Sequence, residues 1–444
     1  MNDASQRVVR RYLLIAGLYT LSASVIWGVN TLFLLDAGLD LLGVFIANAA
    51  FTVGMVAFEI PTGVVADTVG RRASFLASAV VLLIGTAGYL VVANADGGLG
   101  WFIVASVVLG LGFTFYSGAV EAWLVDALAD AGYEDELDSI FARGAVVSGV
   151  AMVGGTLAGG ILGDIDLALP FVVRIGLLGM LIGVAWFVMH DHGFEPRRVG
   201  LRELPREMRI VARAGIDHGW SVRPARWLFY LNFVQTGFLI WAFYAYQPFI
   251  LDLLERDLIW VVGAASAGLA AATIAGNLLV GVLARPCGRR TTLLLGGAAT
   301  LSIAAVGMGF VTEFWQAAAL LVLLGGALGV MGPVQQAFLH GLIPSEQRAT
   351  VVSFGSMIGS VGGIGGQTAL GHVAQQRSIA DGYIVGGAAS ALALPILWAL
   401  RRQDSVADVL TGSTEAGQRA ACAAQGLPEA TGVDAVPRIG RAAA

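Results

Sequence analysis

The feature that most constrains this chain is the recurrence of apolar segments about 20 residues long from one end to the other. A helix rises about 1.5 Å per residue, so each segment is long enough to cross a hydrocarbon core roughly 30 Å thick. Hydrophobic residues make up 57% and charged residues 13% of the chain, whereas soluble domains are about 25% charged. The sequence therefore predicts an all-α membrane protein embedded in a lipid bilayer.

Twelve transmembrane helices are predicted, in two sets of six separated by one long polar stretch. The spans are residues 12–35, 42–66, 73–93, 101–127, 144–162, 167–189, 227–251, 258–284, 291–312, 314–340, 350–374 and 383–400. The predicted parts of the chain are an N-terminal half (1–190), a cytoplasmic linker (191–224), a C-terminal half (225–402) and a tail (403–444). The tail lacks apolar periodicity, so we expect it to be disordered.

The distribution of arginine predicts the orientation in the membrane. All basic residues are arginine, and most lie at the N-terminus, in the linker, in the tail and in alternate loops. Only Arg256 and Arg377 fall in the opposite loops. Because cytoplasmic loops are rich in basic residues, we expect a multi-pass protein of the plasma (inner) membrane with both termini in the cytoplasm. Without lysine the chain has no Walker A loop, which disfavours an ATP-driven pump.

The two halves carry matching motifs in matching places. "GVVADTVGRR" at Gly63–Arg72 and "GVLARPCGRR" at Gly281–Arg290 are identical at six of ten positions. "SGAVEAWL" parallels "GPVQQAFL", and "ARGAVVSGVAMVGG" parallels "QRATVVSFGSMIGS". Two parallel six-helix repeats are typical of transporters that expose a central site alternately to the two sides of a membrane.

The loop Gly63-x-x-x-Asp67-x-x-Gly70-Arg71-Arg72 is similar to the signature loop of the major facilitator superfamily. "FEIPTGVVAD", "SGAVEAWLVD" and "IPSEQRATVVS" further resemble a bacterial branch of drug and metabolite exporters. The resemblance implies that the loop steadies the outward-facing state, with its aspartate near the start of the eleventh helix. The second copy has Arg285 in place of Asp67, so we expect an asymmetric inner gate. The predicted gate residues are Gly63, Asp67, Gly70, Arg71, Arg72, Asp126, Arg143, Arg289, Arg290 and Arg348.

Four side chains inside the predicted spans are carboxylates or arginines, and all lie in the first half: Glu59, Glu121, Asp126 and Arg174. A charge at the bilayer centre costs roughly 2.5 to 3.5 kcal/mol on the insertion scale, so each should face protein or water. Desolvation favours the neutral carboxyl group, which makes Glu59 and Glu121 candidates for proton coupling. Ion pairing with gate arginines is an equal alternative. Asp126 is expected to pair with Arg71, Arg72 or Arg143. Arg174 is expected to bind an anionic substrate or, more simply, to pair with an outer acid such as Asp36.

The seventh predicted helix combines aromatic and amide side chains, as a pocket for a bulky, partly apolar ligand requires. Interfacial aromatic belts and hydrogen bonds between helices are alternative roles for the same residues. The substrate-cavity candidates are Asn30, Arg174, Asn232, Gln235, Trp241, Tyr244 and Gln336. In the fifth helix, "GGTLAGG" resembles the Gly-Pro-x-x-Gly-Gly of superfamily exporters, with threonine in place of proline. Close helix packing is the alternative role of these glycines.

The leading hypothesis is a monomeric secondary transporter that exports a small organic or drug-like compound in exchange for protons. An uptake symporter of the same architecture is the alternative, and a membrane sensor or scaffold without transport is a third possibility. The five histidines form no HExxH-like array, so we expect no enzyme activity, no metal site and no cofactor. The net charge of −5 does not indicate nucleic-acid binding.

Overall fold

The computed structural model describes residues 2–133, 135–191, 206, 209, 213, 215–343 and 348–410. They form twelve long helices, three of which are interrupted once. The bounds are α1, Asp3–Ser24 and Asn30–Asp36; α2, Leu41–Val69; α3, Arg71–Asn94; α4, Leu99–Tyr116 and Ala119–Asp130; α5, Asp138–Ile165; α6, Leu169–Val188; α7, Arg223–Leu254; α8, Ile259–Ala284; α9, Arg290–Met308; α10, Phe314–Leu342; α11, Arg348–Gln376; and α12, Ile379–Ser390 and Ala393–Arg401.

Ten of the helices in the described residues are long and apolar enough to cross a membrane. The remaining two are α1, which carries three arginines near its start, and α11, which is rich in glycine and serine. Both pack as full members of the bundle. The predicted all-α fold is thus confirmed.

The helices pack as two bundles, α1–α6 and α7–α12. Each bundle has its own apolar core, and the two meet where α2 packs on α11 and α5 packs on α8. The second segment of α1 also contacts α7. We call the end that carries the α2–α3 and α8–α9 loops the arginine-rich end, and the opposite end the far end.

Three predicted spans are interrupted rather than continuous. In α4 the break falls at Ser117 and Gly118, and Gly118 has a left-handed backbone with φ of 74°. In α1 the chain turns between Ser24 and Asn30, and in α12 it turns after Ser390. Backbone groups freed inside a membrane need partners. At the α1 break the Trp27 carbonyl accepts a hydrogen bond from Gln247, 2.8 Å away.

The expectation of a disordered tail does not hold for residues 403–410. This segment contains a short 3₁₀ turn, Val406–Asp408, and packs against the start of α9. It is ordered because the Asp408 carboxylate accepts hydrogen bonds from Thr291. Residues 411–444 of the tail and most of the predicted linker lie outside the described residues.

Candidate functional site

A cavity of about 390 Å³ lies where α2 faces the C-terminal half. Its wall is mainly apolar and aromatic, with Phe51 and Met55 from α2, Phe238 and Tyr244 from α7, and Tyr383 from α12. The described residues that line it include no charged side chain. A pocket with this wall fits the apolar, planar part of an organic molecule. A charged ligand would bind poorly, because the wall has few polar groups that could offset the free energy of removing the charge from water.

The seventh helix supplies much of the cavity wall, but Tyr244 is the one candidate predicted on this helix that is among the described lining residues. Tyr244 lines the cavity, but Trp241 is fully buried and packs against Tyr383, with ring centroids 5.1 Å apart. Gln235 is also buried, and its Nε2 atom lies 3.9 Å from the sulfur of Met331. Trp241 and Gln235 therefore belong to the core of the C-terminal half.

The other predicted polar candidates lie apart from the apolar cavity. Asn232 donates a hydrogen bond to the Gly355 carbonyl at 2.8 Å. With Gln336 it lines a smaller, more polar cavity of about 240 Å³ between α7, α10 and α11. Asn30 donates to the Asn48 side chain at 3.0 Å. Asn232 and Asn30 thus make interhelical hydrogen bonds, which were the alternative to ligand binding.

The cavity is closed toward the far end by contacts between the halves. The backbone N–H of Thr31 donates to Gln247 Oε1 at 2.9 Å, and the Thr31 hydroxyl donates to the Tyr244 carbonyl at 3.0 Å. Nearby, the N–H of Leu42 donates to Gln375 Oε1 at 3.4 Å. Toward the arginine-rich end, polar positions such as Ser117, Glu121 and Gln336 are exposed. Among the described residues, the halves are thus in contact at the far end, and polar positions face solvent at the arginine-rich end.

The two carboxylates proposed for proton coupling have different surroundings. Glu59 is half-buried, and its Oε1 atom lies 3.5 Å from the Ser117 hydroxyl. It follows Met55 by one helical turn, so both lie on the same stripe of α2. Glu121 is exposed in the second segment of α4. Glu59 is therefore next to the cavity, whereas Glu121 is in the open approach to it.

The first signature loop is held by ion pairs within the N-terminal half. Arg71 Nη1 lies 2.5 Å from Asp67, and Arg71 Nε lies 3.8 Å from Asp126, which is one of the partners expected for Asp126. Gly70 ends α2, and Arg72 donates to the Trp186 carbonyl at 2.8 Å. The carboxylates and guanidinium groups together hold α2, α3 and α4 at the arginine-rich end.

Gly63, one of the predicted gate residues, makes no close helix contact with the described residues. It is exposed, and a Cβ at this position would meet no heavy atom within 4 Å. No helix of the described part of the chain packs against α2 at this position.

The remaining gate arginines divide into two groups. Arg289 and Arg290 of the second loop contact residues 404–409 after α12. Arg143 and Arg348 are exposed and form no ion pair with a described residue, although Arg348 Nε lies 3.4 Å from the Ile343 carbonyl. The structure therefore does not gather the ten predicted gate residues into one cluster.

Arg174 is not paired with Asp36 as the sequence suggested. It is 7% exposed in α6, its Nε has no hydrogen-bond partner, and it forms no ion pair with any described residue. Its electrostatic neighbours are Tyr19 and Tyr89. It does not line the apolar cavity, so it is a buried cation inside the N-terminal half.

The glycines of "GGTLAGG" have packing partners on two other helices. Gly155 and Gly159 lie against α1, and Gly160 lies against Gly263 of α8, where a Cβ would come within 2.8 Å of the Gly263 Cα. Gly154 has no such neighbour among the described residues. The motif thus joins α5 to its own bundle and to the opposite one.

Sequence reasoning missed most of the cavity wall, including Phe51, Met55 and Tyr383. The stripe formed by Phe51, Met55 and Glu59 at four-residue spacing was a usable signal on α2. No local signal indicates Tyr383, because only packing of α12 against α7 brings it to the cavity.

A model of the Major Facilitator Superfamily matches residues 12–272 and 257–427. The chain belongs to the major facilitator superfamily. It is a multi-pass membrane protein with the transporter fold of this superfamily.

Two related superfamily sequences are tetracycline resistance proteins. The class D protein of Salmonella ordonez is 25% identical over 372 residues, which cover 81% of this chain and 87% of that protein. The class C protein of Escherichia coli is 27% identical over 345 residues, which cover 76% and 81% of the two chains.

Solved structures of the superfamily align over most of their length. The nucleoside transporter NupG has a TM-score of 0.73 at 10% identity, covering 90% of this chain and 100% of that chain. The human organic anion transporter MFSD10 (TETRAN) has a TM-score of 0.61 at 15% identity, covering 89% and 100%. At these identities the likeness shows the fold alone.

Proposed function

We propose that this superfamily member is a secondary active transporter that exports a small, partly apolar organic compound in exchange for protons. The apolar, aromatic cavity between the halves supports a cargo of this kind. The names of the two tetracycline resistance relatives support a drug-like cargo, since export is the way in which a transporter lowers the drug concentration inside a cell.

The observation that carries the proposal is the position of Glu59 next to the cavity. Glu59 is one turn from Met55, on the side of the arginine-rich end, and is half-buried beside Ser117. A carboxylate at such a place is ionised when the cavity is open to water and costs free energy when the cavity closes around it.

The free-energy cost of burying the ionised Glu59 provides a way to couple proton entry to export of the compound. In the empty carrier, protonation of Glu59 removes the charge and allows the halves to rearrange. In the loaded carrier, a polar or cationic group of the bound compound offsets the charge of the ionised carboxylate. Proton and compound therefore cross in opposite states of the carrier, which gives exchange rather than cotransport. Glu121, in the open approach, passes protons to and from Glu59.

The direction of export follows from the orientation. We assign the arginine-rich end to the cytoplasm, because basic residues concentrate on the cytoplasmic side of membrane proteins. Both termini are then cytoplasmic, in a protein of the plasma membrane that works as a monomer. The conformation open at the arginine-rich end is then the inward-facing state, ready to take a compound from the cytoplasm.

Accumulation measurements test this proposal. Bacteria that lack their own exporters, with and without this protein, are loaded with tetracycline, cationic dyes and small metabolites in the presence or absence of an uncoupler. We expect lower accumulation of at least one compound, and loss of the effect with the uncoupler or in Glu59→Gln. The exposed Glu136 lies on the α4–α5 loop, so Glu136→Gln is the matched control and should export normally.

Other outcomes would overturn parts of the proposal. Increased accumulation that the uncoupler abolishes would indicate an uptake symporter. Export that persists fully in Glu59→Gln would exclude Glu59 as the coupling group. No effect on any compound, with the protein present in the membrane, would favour a sensor or scaffold.

A further inference from the structure

The two signature loops differ in where their arginine finds an acid. In the first loop, Arg71 pairs with Asp67 four residues earlier in the same loop. In the aligned second loop, the position of Asp67 is occupied by Arg285, so Arg289 has no acid of its own loop at this spacing. A carboxylate must come from elsewhere if the second loop is to be held in the same way.

The segment after α12 supplies this carboxylate. Asp408 is buried, with a side chain 3% exposed, and lies 4.0 Å from Arg289. Its Oδ1 atom accepts the backbone N–H of Thr291 at 2.7 Å, and its Oδ2 atom accepts the Thr291 hydroxyl at 2.9 Å. Thr291 is in the first turn of α9, where N–H groups lack helical partners and the helix dipole favours a negative charge. Asp408 therefore satisfies the start of α9 and places a second carboxylate near Arg289, which donates a hydrogen bond to Asp404 at 2.9 Å.

The backbone of the same segment is bound to the second loop. The N–H of Leu410 donates to the Gly288 carbonyl at 3.2 Å, and Arg290 donates to the Val409 carbonyl at 3.0 Å. Arg290 also contacts the Ala407 carbonyl. Ala407 and Leu410 pack on the apolar cluster that also holds Cys287. We call residues 404–410 the C-terminal clamp.

We propose that the C-terminal clamp is a working part of the second gate loop, where Asp408 supplies a buried carboxylate that the loop itself lacks. The clamp joins the α8–α9 loop, the start of α9 and the end of α12 into one rigid unit at the arginine-rich end. This unit moves intact as the two halves rock. The inference depends on neither the cargo nor the direction of transport.

Cys287 offers a direct readout of the clamp. It is half-buried in the α8–α9 loop, and the other cysteine, Cys422, is removed by Cys422→Ala. The purified full-length protein in lipid nanodiscs is treated with a water-soluble maleimide, and the labelling rate of Cys287 is measured by mass spectrometry. The variants are Asp408→Ala, the milder Thr291→Val, and a truncation that removes residues 404–444.

Two controls separate the clamp from the rest of the tail. A truncation that removes residues 411–444 leaves the clamp in place. Asp404→Asn removes a carboxylate that also contacts Arg289, at 2.9 Å, but is 73% exposed. Surface ion pairs contribute little to stability. Asp404→Asn therefore tests whether removing any carboxylate near Arg289 speeds the labelling of Cys287.

We expect Cys287 to be labelled about tenfold faster in Asp408→Ala and in the 404–444 truncation, because hydrogen bonds to a charged, buried group are among the stronger ones. Thr291→Val should give a smaller increase, and both controls should stay within about twofold of the parent. Unchanged labelling in Asp408→Ala, in Thr291→Val and in the 404–444 truncation would overturn the proposal. Equal labelling of the two truncations would also overturn it, since protection would then come from residues beyond 410. Size-exclusion profiles confirm that each variant is folded.

Discussion

At the scale of single residues, Arg174 stands out as a buried positive charge without a described negative partner. It is buried in α6 without a carboxylate partner among the described residues, and Tyr19 and Tyr89 are its electrostatic neighbours. Removing a buried charge that lacks a partner is often neutral or stabilising, because the desolvation penalty goes with it. We therefore expect the apparent melting temperature of Arg174→Met, followed by tryptophan fluorescence in detergent, to equal or exceed that of the wild type. Arg174→Lys keeps a charge and serves as the control. A decrease of several degrees in Arg174→Met alone would show that the guanidinium has a partner that contributes to stability.

At the scale of helices, the contact between α5 and α8 depends on the close approach of Gly160 and Gly263. A side chain at residue 160 would meet the α8 backbone and hold the two halves apart. Gly160→Val should therefore reduce transport at least about tenfold while the protein still reaches the membrane, because overpacking at a well-packed contact costs roughly 1 to 3 kcal/mol. Gly154→Val is the matched control, because a Cβ at this position of the same helix would meet no described heavy atom within 4 Å, and it should transport normally. Equal activity of the two variants, with equal amounts of protein in the membrane, would contradict a role for this contact.

At the scale of the whole molecule, transport requires the far end to open. The Thr31 and Gln247 contact joins α1 to α7 in the closed state. In a variant without Cys287 and Cys422, Thr31→Cys together with Gln247→Cys should form a disulfide under mild oxidation and stop transport. Reduction should restore it, and each single substitution should remain active after oxidation. Full transport by the cross-linked protein would show that the far end need not separate.

The sequence predicts the large features well and the local interruptions poorly. Twelve spans and two repeats follow from apolar length and recurring motifs, which are local properties. The break at Gly118 depends on a left-handed residue, which glycine permits but does not require. The C-terminal clamp depends on tertiary contacts between Asp408 and Thr291, and nothing in the polar segment after α12 indicates them. The cavity wall comes from six helices, so only their packing reveals it.

Reconstitution into liposomes tests the central claim most directly. Purified protein is placed in vesicles with a proton gradient imposed across the membrane, and the movement of a compound identified by the cell assay is followed together with the internal pH. We predict that the compound moves against the direction of proton flow, that dissipating the gradient stops this movement, and that Glu59→Gln fails to couple the two. Movement of the compound in the same direction as the protons would contradict proton-coupled export. Movement at the same rate with and without the proton gradient would also contradict it.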